Sequence, residues 1–201
     1  MEILHGEGSD FFTAHVIDNI TSKQVAKLRQ EYDEVEYTRQ IYCLAKYYNE
    51  ALVGLEANFS TYPIKELDRL GYRKQYVREI EDEYTNRFEK RLGVRTTLKT
   101  RPVMLANLQE IVLEHINNIV DKDTLREMLV FIKNENGRPE AQEGEHDDLV
   151  MGLAIAYYIR EQQSFKLLPP PKKEYAPYYD EFGVTRNKSR HDDYGSSIEV
   201  I

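Results

Sequence analysis

The sequence predicts a mixed α/β domain followed by a mostly disordered tail, and three observations carry that prediction. Phe12 to Ile17 alternates in the manner of a strand, and Gln24 to Tyr32 reads as a second, antiparallel strand beyond an Asp18-Asn19 turn. Ala51-Leu52-Val53-Gly54-Leu55-Glu56 is a continuous apolar run closed by an acid, the pattern of a strand covered on both faces. Asp147-Asp148 then opens a helix in which Leu149, Gly152, Leu153 and Ala156 share one face.

The remaining elements follow in order. Residues 1 to 9, glycine-rich around His5-Gly6-Glu7-Gly8-Ser9, read as a loop. Val35 to Tyr48 has helical periodicity through Ile41, Leu44, Ala45 and Tyr48, with Asn49 suited to its C-terminal end. Ile64 to Leu70 is a short helix stopped by Gly71, and Gln75 to Ile80 is a candidate strand. Leu92 to Arg101 is a loop dense in hydroxyls and cations. Pro102 stands at the favoured first position of a helix that runs to about Ile119, with Leu105, Leu108, Val112 and Ile116 inward. Asp123 is expected to cap a short helix through Leu129, Val130 to Lys133 to form a strand, and Asn134 to Gln142 to turn. The tiny residues Gly152, Ala154 and Ala156 let the final helix lie close against a sheet. Leu167-Leu168-Pro169-Pro170-Pro171-Lys172-Lys173 reads as a stiff linker, so the division expected is a domain over 1–165 and a Pro/Tyr-rich flexible tail over 166–201.

Composition narrows the function. At 201 residues, with 41% hydrophobic and 31% charged, the chain suits one globular domain with an appendage. It has no run of membrane-spanning length and no secretory leader pattern. Its single cysteine, Cys43, excludes a disulfide framework and a cysteine-based zinc site, and fits a reducing compartment. A net charge of -8 argues against gripping nucleic acid by overall electrostatics, and no Walker-type loop is present.

Acids carry the chemistry. An acid at the C-terminal end of a buried strand, Glu56, lies where open α/β sheets place their sites, although a solvated strand end accounts for it as well. Asp148 sits one turn before Met151, Gly152 and Ile155, which directs its carboxylate inward, where a lone charge must be paired or bound. A divalent cation is one partner; the alternative is that Asp147 or Asp148 simply caps the helix. Carboxylates converging at a sheet edge are what two-metal phosphodiester hydrolysis needs. His146 beside them reads as a ligand or proton carrier, or as structural. Lys99 and Arg101 read as phosphate contacts or as an ordinary basic loop.

Several segments together resemble the C-terminal nuclease domain of phage terminase large subunits. They are Gly8-Ser9-Asp10-Phe11-Phe12-Thr13-Ala14-His15-Val16, Tyr48 to Asn58, Lys99-Thr100-Arg101-Pro102, Phe131, and Glu140 to Ala154 with its Glu145-His146-Asp147-Asp148 centre. The resemblance covers roughly residues 6 to 160. It implies a ribonuclease-H-like mixed sheet flanked by helices. It also implies a metal-dependent endonuclease that cuts concatemeric DNA in a bacterial host's cytoplasm during viral or prophage DNA packaging. Glu56 matches the family's second catalytic acid and Asp148, with Asp147 beside it, the third. Asp10 matches a later acid of the glycine-rich loop, and Lys99 and Arg101 are the DNA-binding candidates. Two Mg2+ or Mn2+ ions are implied as cofactors. The implied partners are double-stranded DNA, the terminase ATPase domain, the small subunit and the portal, with no membrane. Met151 stands where many relatives carry an acid. The family's first catalytic aspartate lies in a strand of which only Glu2-Ile3-Leu4 is present, so this first strand is read as truncated and activity of the chain alone is expected to be weak or nil. Two alternatives stand beside the nuclease: an impaired terminase fragment serving as a binding module or prophage remnant, and a Holliday-junction-resolvase-like enzyme.

Overall fold

Alternation at the N-terminus builds an antiparallel pair that the helices cover from both sides. The computed structural model describes residues 11–31, 33–82, 87–135 and 137–163, with the backbone of three two-residue strands beyond them. β1 (Phe12–Ile17) pairs with β2 (Gln24–Gln30), Ala14 opposite Leu28 and Val16 opposite Ala26, before the register shifts at Ile17. Phe12 and Ala14 point to one face, where Leu28, Tyr37, Ile41, Ala45, Leu55, Ile64, Leu67 and Tyr72 form a buried cluster. Thr13 and His15 point to the other.

α1 (Glu34–Tyr47) supplies the first cover. The Asp33 carboxylate accepts the Glu36 N–H at 2.9 Å, satisfying an orphan donor of the first turn. Tyr37, Ile41, Leu44 and Ala45 form its buried stripe. α2 (Tyr62–Arg69) joins the same cluster through Ile64 and Leu67 and is followed by Gly71 at a φ of +77°, a conformation that suits glycine after a helix.

The apolar run of residues 51–56 is less regular than the sequence predicts. It makes two separate parallel bridges, Val53 with Gln75 and Glu56 with Val94, so no continuous strand forms. Its burial on both sides is nevertheless real. Leu52 packs against the cluster that includes Val94 and Leu153, while Val53 and Ala57 pack with Leu55 in the cluster beneath α1.

β3 (Val77–Asp82) and β4 (Arg87–Leu92) pair antiparallel. The sequence shows little of β4, because Arg-Phe-Glu-Lys-Arg-Leu has charge at most positions and no apolar face. α3 (Thr100–His115) starts two residues before Pro102, because the Thr97 hydroxyl accepts the Lys99 and Thr100 N–H groups and opens the turn early. It stops at His115, and one tight turn over Ile116–Asn118 follows. Met104 and Leu108 are its buried residues, whereas Ile116, expected inward, is exposed.

α4 (Lys122–Leu129) is capped by Asp121, not Asp123. The Asp121 Oδ2 accepts from the Thr124 N–H at 2.8 Å, while Asp123 inside the first turn pairs with Lys27 and Arg126. β5 (Phe131–Lys133) and β6 (Pro139–Ala141) turn the expected loop at 134–142 into a small hairpin.

α5 (Asp148–Ile159) is buried nearly all round, with Leu149, Val150, Met151, Leu153, Ala154, Ile155, Tyr157 and Ile159 inside. One inward face is too few for its position, since β1, α3 and α4 all pack against it.

The compact body spans residues 1–163 and 197–201; residues 164–196 group separately. In the first, β9 (Glu199–Val200) pairs with β2, and in the second β7 (Tyr178–Tyr179) pairs with β8 (Thr185–Arg186). The rest of the tail expected at 166–201 lies outside the described residues. Among the described residues no helix is long and apolar enough to cross a membrane.

Gly152 allows α5 to touch β1. A Cβ there would stand 2.8 Å from the Thr13 Oγ1 and 3.4 Å from the His15 Cδ2. Thr13 cannot turn away without losing its bond to the Asp148 carbonyl. Gly152→Ala should therefore cost about 1–2 kcal/mol in urea unfolding, overpacking outweighing the gain in helix propensity. A Thr13→Ala background should shrink that loss, and additivity of the two changes would show the contact is not responsible.

Candidate active site

The head of α5 is sewn to β1 by residues of period two. The Phe11 N–H donates to the Asp148 Oδ2 at 3.0 Å, the Thr13 hydroxyl to the Asp148 carbonyl at 2.9 Å, and His15 Nε2 meets the Leu149 carbonyl at 3.0 Å. Thr13 and His15 reach the first turn of the helix from one face of β1, and the Phe11 backbone just before the strand adds the third contact.

His15 has a defined tautomer. Gln24 Oε1 accepts the N–H groups of Val120 and Asp121, both at 3.1 Å, so its Nε2 is the donor facing His15 Nδ1 at 2.7 Å. Nδ1 accepts, and Nε2 carries the proton that goes to Leu149. Burial lowers the pKa of this imidazole to about 4, the Leu149 carbonyl pulling the other way.

The acid pair is not used as a cap. Asp147, at the N-cap position, makes no side-chain bond to the helix. Its Oδ2 accepts from the Arg101 Nη2 at 2.9 Å, and the same guanidinium nitrogen donates to the Pro139 carbonyl at 3.0 Å. Arg101 therefore joins α3, the β5–β6 hairpin and α5, while Lys99 is exposed at the head of α3. Asp148 is mostly buried, bonded to β1, with His146 Nδ1 3.8 Å from its Oδ2. The His146 ring stands edge-on to Phe11, whose own face carries the Arg29 guanidinium at 3.8 Å.

The cap comes from another helix. Glu127 Oε2 accepts from the N–H groups of Leu149 at 2.8 Å and Val150 at 3.4 Å. Its Oε1 is buried without a hydrogen-bond partner. Burial pushes the Glu127 carboxyl up; the two amides and Arg29 oppose that, and the charge of Asp148 adds to it. Glu127 also lines a cavity of about 260 Å³ together with Arg29, Asp123, Arg126, Val130, Glu145 and His146. Sequence patterning gives no sign of this residue. At that helix end apolar Leu129 is 82% exposed while Glu127 is buried.

Glu56 is exposed at its parallel bridge to Val94. Its charge reaches Tyr37, whose phenol is pushed up mainly by burial and then by Glu56. The Tyr37 hydroxyl donates to the Thr13 carbonyl at 2.9 Å, so Thr13 is the common neighbour between that side of the sheet and Asp148. Among the described residues no three of His, Cys, Asp or Glu converge as a ready cation cage. Asp10 and Glu2 lie outside the described residues. The donor chemistry at hand, carboxylate oxygen, is the kind that hard divalent cations prefer. No family model matches the sequence.

The neutral His15 has a pH consequence. Its pKa in the fold lies near 4 against an ordinary 6.5, so between those values the unfolded chain binds a proton that the native site does not. Stability is fully present above pH 6.5 and falls as pH drops toward 4, by up to about 3 kcal/mol. Urea titrations from pH 7.5 to 4 should show a smaller loss over this window in His15→Gln. Parallel curves for the two proteins would place the acid sensitivity elsewhere.

Proposed function

We propose that this chain is the metal-dependent DNA endonuclease module of a phage or prophage packaging terminase, with a ribonuclease-H-like fold. The observation that carries the reading is the division of labour at the head of α5. A cap suffices to explain two acids at a helix start, but here Glu127 supplies the cap and Asp148 is bonded to the strand instead. The alternating helix and strand layers of the body and the acid-terminated run ending in Glu56 support the same reading.

In this reading Glu56 and Asp148 hold Mg2+ or Mn2+, with Asp147 and Asp10 as further oxygen donors. Such ions supply an activated water and neutralise charge on the scissile phosphate. Lys99, exposed beside the site, meets the DNA backbone; Arg101 acts through Asp147. Double-stranded DNA is the substrate, and the packaging ATPase domain, small subunit and portal are the partners.

A second reading has a specific observation behind it. A carboxylate neutralised by a guanidinium, as Asp147 is by Arg101, is a weaker cation ligand, which favours a fragment that keeps the fold and serves as a binding module.

Thermal unfolding separates the two. Mn2+ or Mg2+ at about 100 times its Kd should stabilise the protein by about 2.7 kcal/mol, a rise of roughly 5–10 °C for a chain of this size. The rise should vanish in the Glu56→Ala/Asp148→Ala double variant. An equal rise in that variant would remove both acids from the assignment. A metal response with no nicking of supercoiled plasmid would favour the binding module.

A further inference from the structure

We propose that Glu127 is a positioning residue for Asp148: it holds the first turn of α5 from outside the helix and thereby fixes where the Asp148 carboxylate stands. Three observations carry this. Glu127 Oε2 takes the N–H groups of Leu149 and Val150, the orphan donors that a residue of the helix's own start would ordinarily take. Asp147 is held by Arg101 and makes no cap. The Asp148–Leu149 peptide is gripped at both ends, its N–H by Glu127 and its carbonyl by the Thr13 hydroxyl, which fixes the peptide next to the Asp148 side chain in orientation.

The residue's environment also argues against a passive filler. A buried carboxylate with one oxygen unpartnered is costly, and a well-packed apolar side chain would be cheaper if only volume were needed. Arg29, half-buried beside it, offsets part of that cost through charge.

The Phe11 amide reports on the position of the Asp148 carboxylate independently of any metal, because it donates to Asp148 Oδ2. The metal readout rests on the nuclease reading; the amide readout does not. In hydrogen exchange on the full chain, Glu127→Ala should speed exchange at Leu149 and Val150 and also at Phe11. Its affinity for Mn2+, by calorimetry, should fall about tenfold, the usual loss when a residue that orients a ligand is removed. Glu127→Gln, which keeps an acceptor for the two amides, should restore Phe11 protection and most of the affinity.

If Glu127→Ala does not fold, Glu127→Asp, which withdraws the acceptor by one methylene, takes its place with the same expectations. Faster exchange at Leu149 and Val150 with Phe11 protection and Mn2+ affinity unchanged would reduce Glu127 to a cap and overturn the proposal. So would a Gln variant as impaired as Ala, since charge and not position would then be responsible. Absence of Mn2+ binding in the unaltered chain would refute the nuclease reading, and Phe11 exchange would still decide the role of Glu127.

Discussion

The three contacts from Phe11, Thr13 and His15, at the start of and along β1, to the first turn of α5 are the constraint on which the rest depends. They demand that helix and strand lie almost in touch, which only a residue without a Cβ at 152 allows. They also bring peptide groups of the helix into a region without bulk water, so each polar atom there needs a partner. His15 answers through Gln24, and Gln24 in turn satisfies the backbone entering α4. Two strands, two helices and the chain leading into α4 are thereby held in one polar network inside an apolar body.

Charge is organised around the same point. Lys27 is buried on β2 and bridges Asp121 and Asp123, at 2.8 Å each, across the first turn of α4. That pairing orients α4 so that Glu127, one turn and a half further along, meets the head of α5. Removing Lys27 would leave the Asp121 carboxylate buried without its cation, which is the expensive outcome for such a group. The arrangement therefore ties the geometry at Asp148 to residues far from it in sequence, through β2 and α4.

Arg101 closes the other side. Its guanidinium spans Asp147 and the Pro139 carbonyl, so the start of α3, the β5–β6 hairpin and the helix head move together. A cation that looked suited to phosphate is thus committed inside the protein, and the neighbouring Lys99 retains the exposure that an intermolecular contact needs. Tyr37 and Thr13 extend the network across β1 toward Glu56.

Periodicity made β1 and α1 legible from the sequence, β2 was legible from its place beyond the Asp18-Asn19 turn, and α5 from its apolar and small residues although it is buried nearly all round. The acid pair at 147–148 and the acid closing the run at Glu56 were likewise visible as residues. Their uses were not. β4 escaped because four of the six positions of Arg-Phe-Glu-Lys-Arg-Leu are charged, and the 51–56 run makes two bridges because its neighbours pair with it at separate points. The cap of α5 was undetectable, since Glu127 stands twenty-one residues before Asp148 and is buried where apolar Leu129 is exposed. Local sequence determines which backbone conformations are favourable and which residues seek burial. Which carboxylate meets an amide and which meets an arginine is decided by where separate elements come together, and that information exists only once the chain has packed.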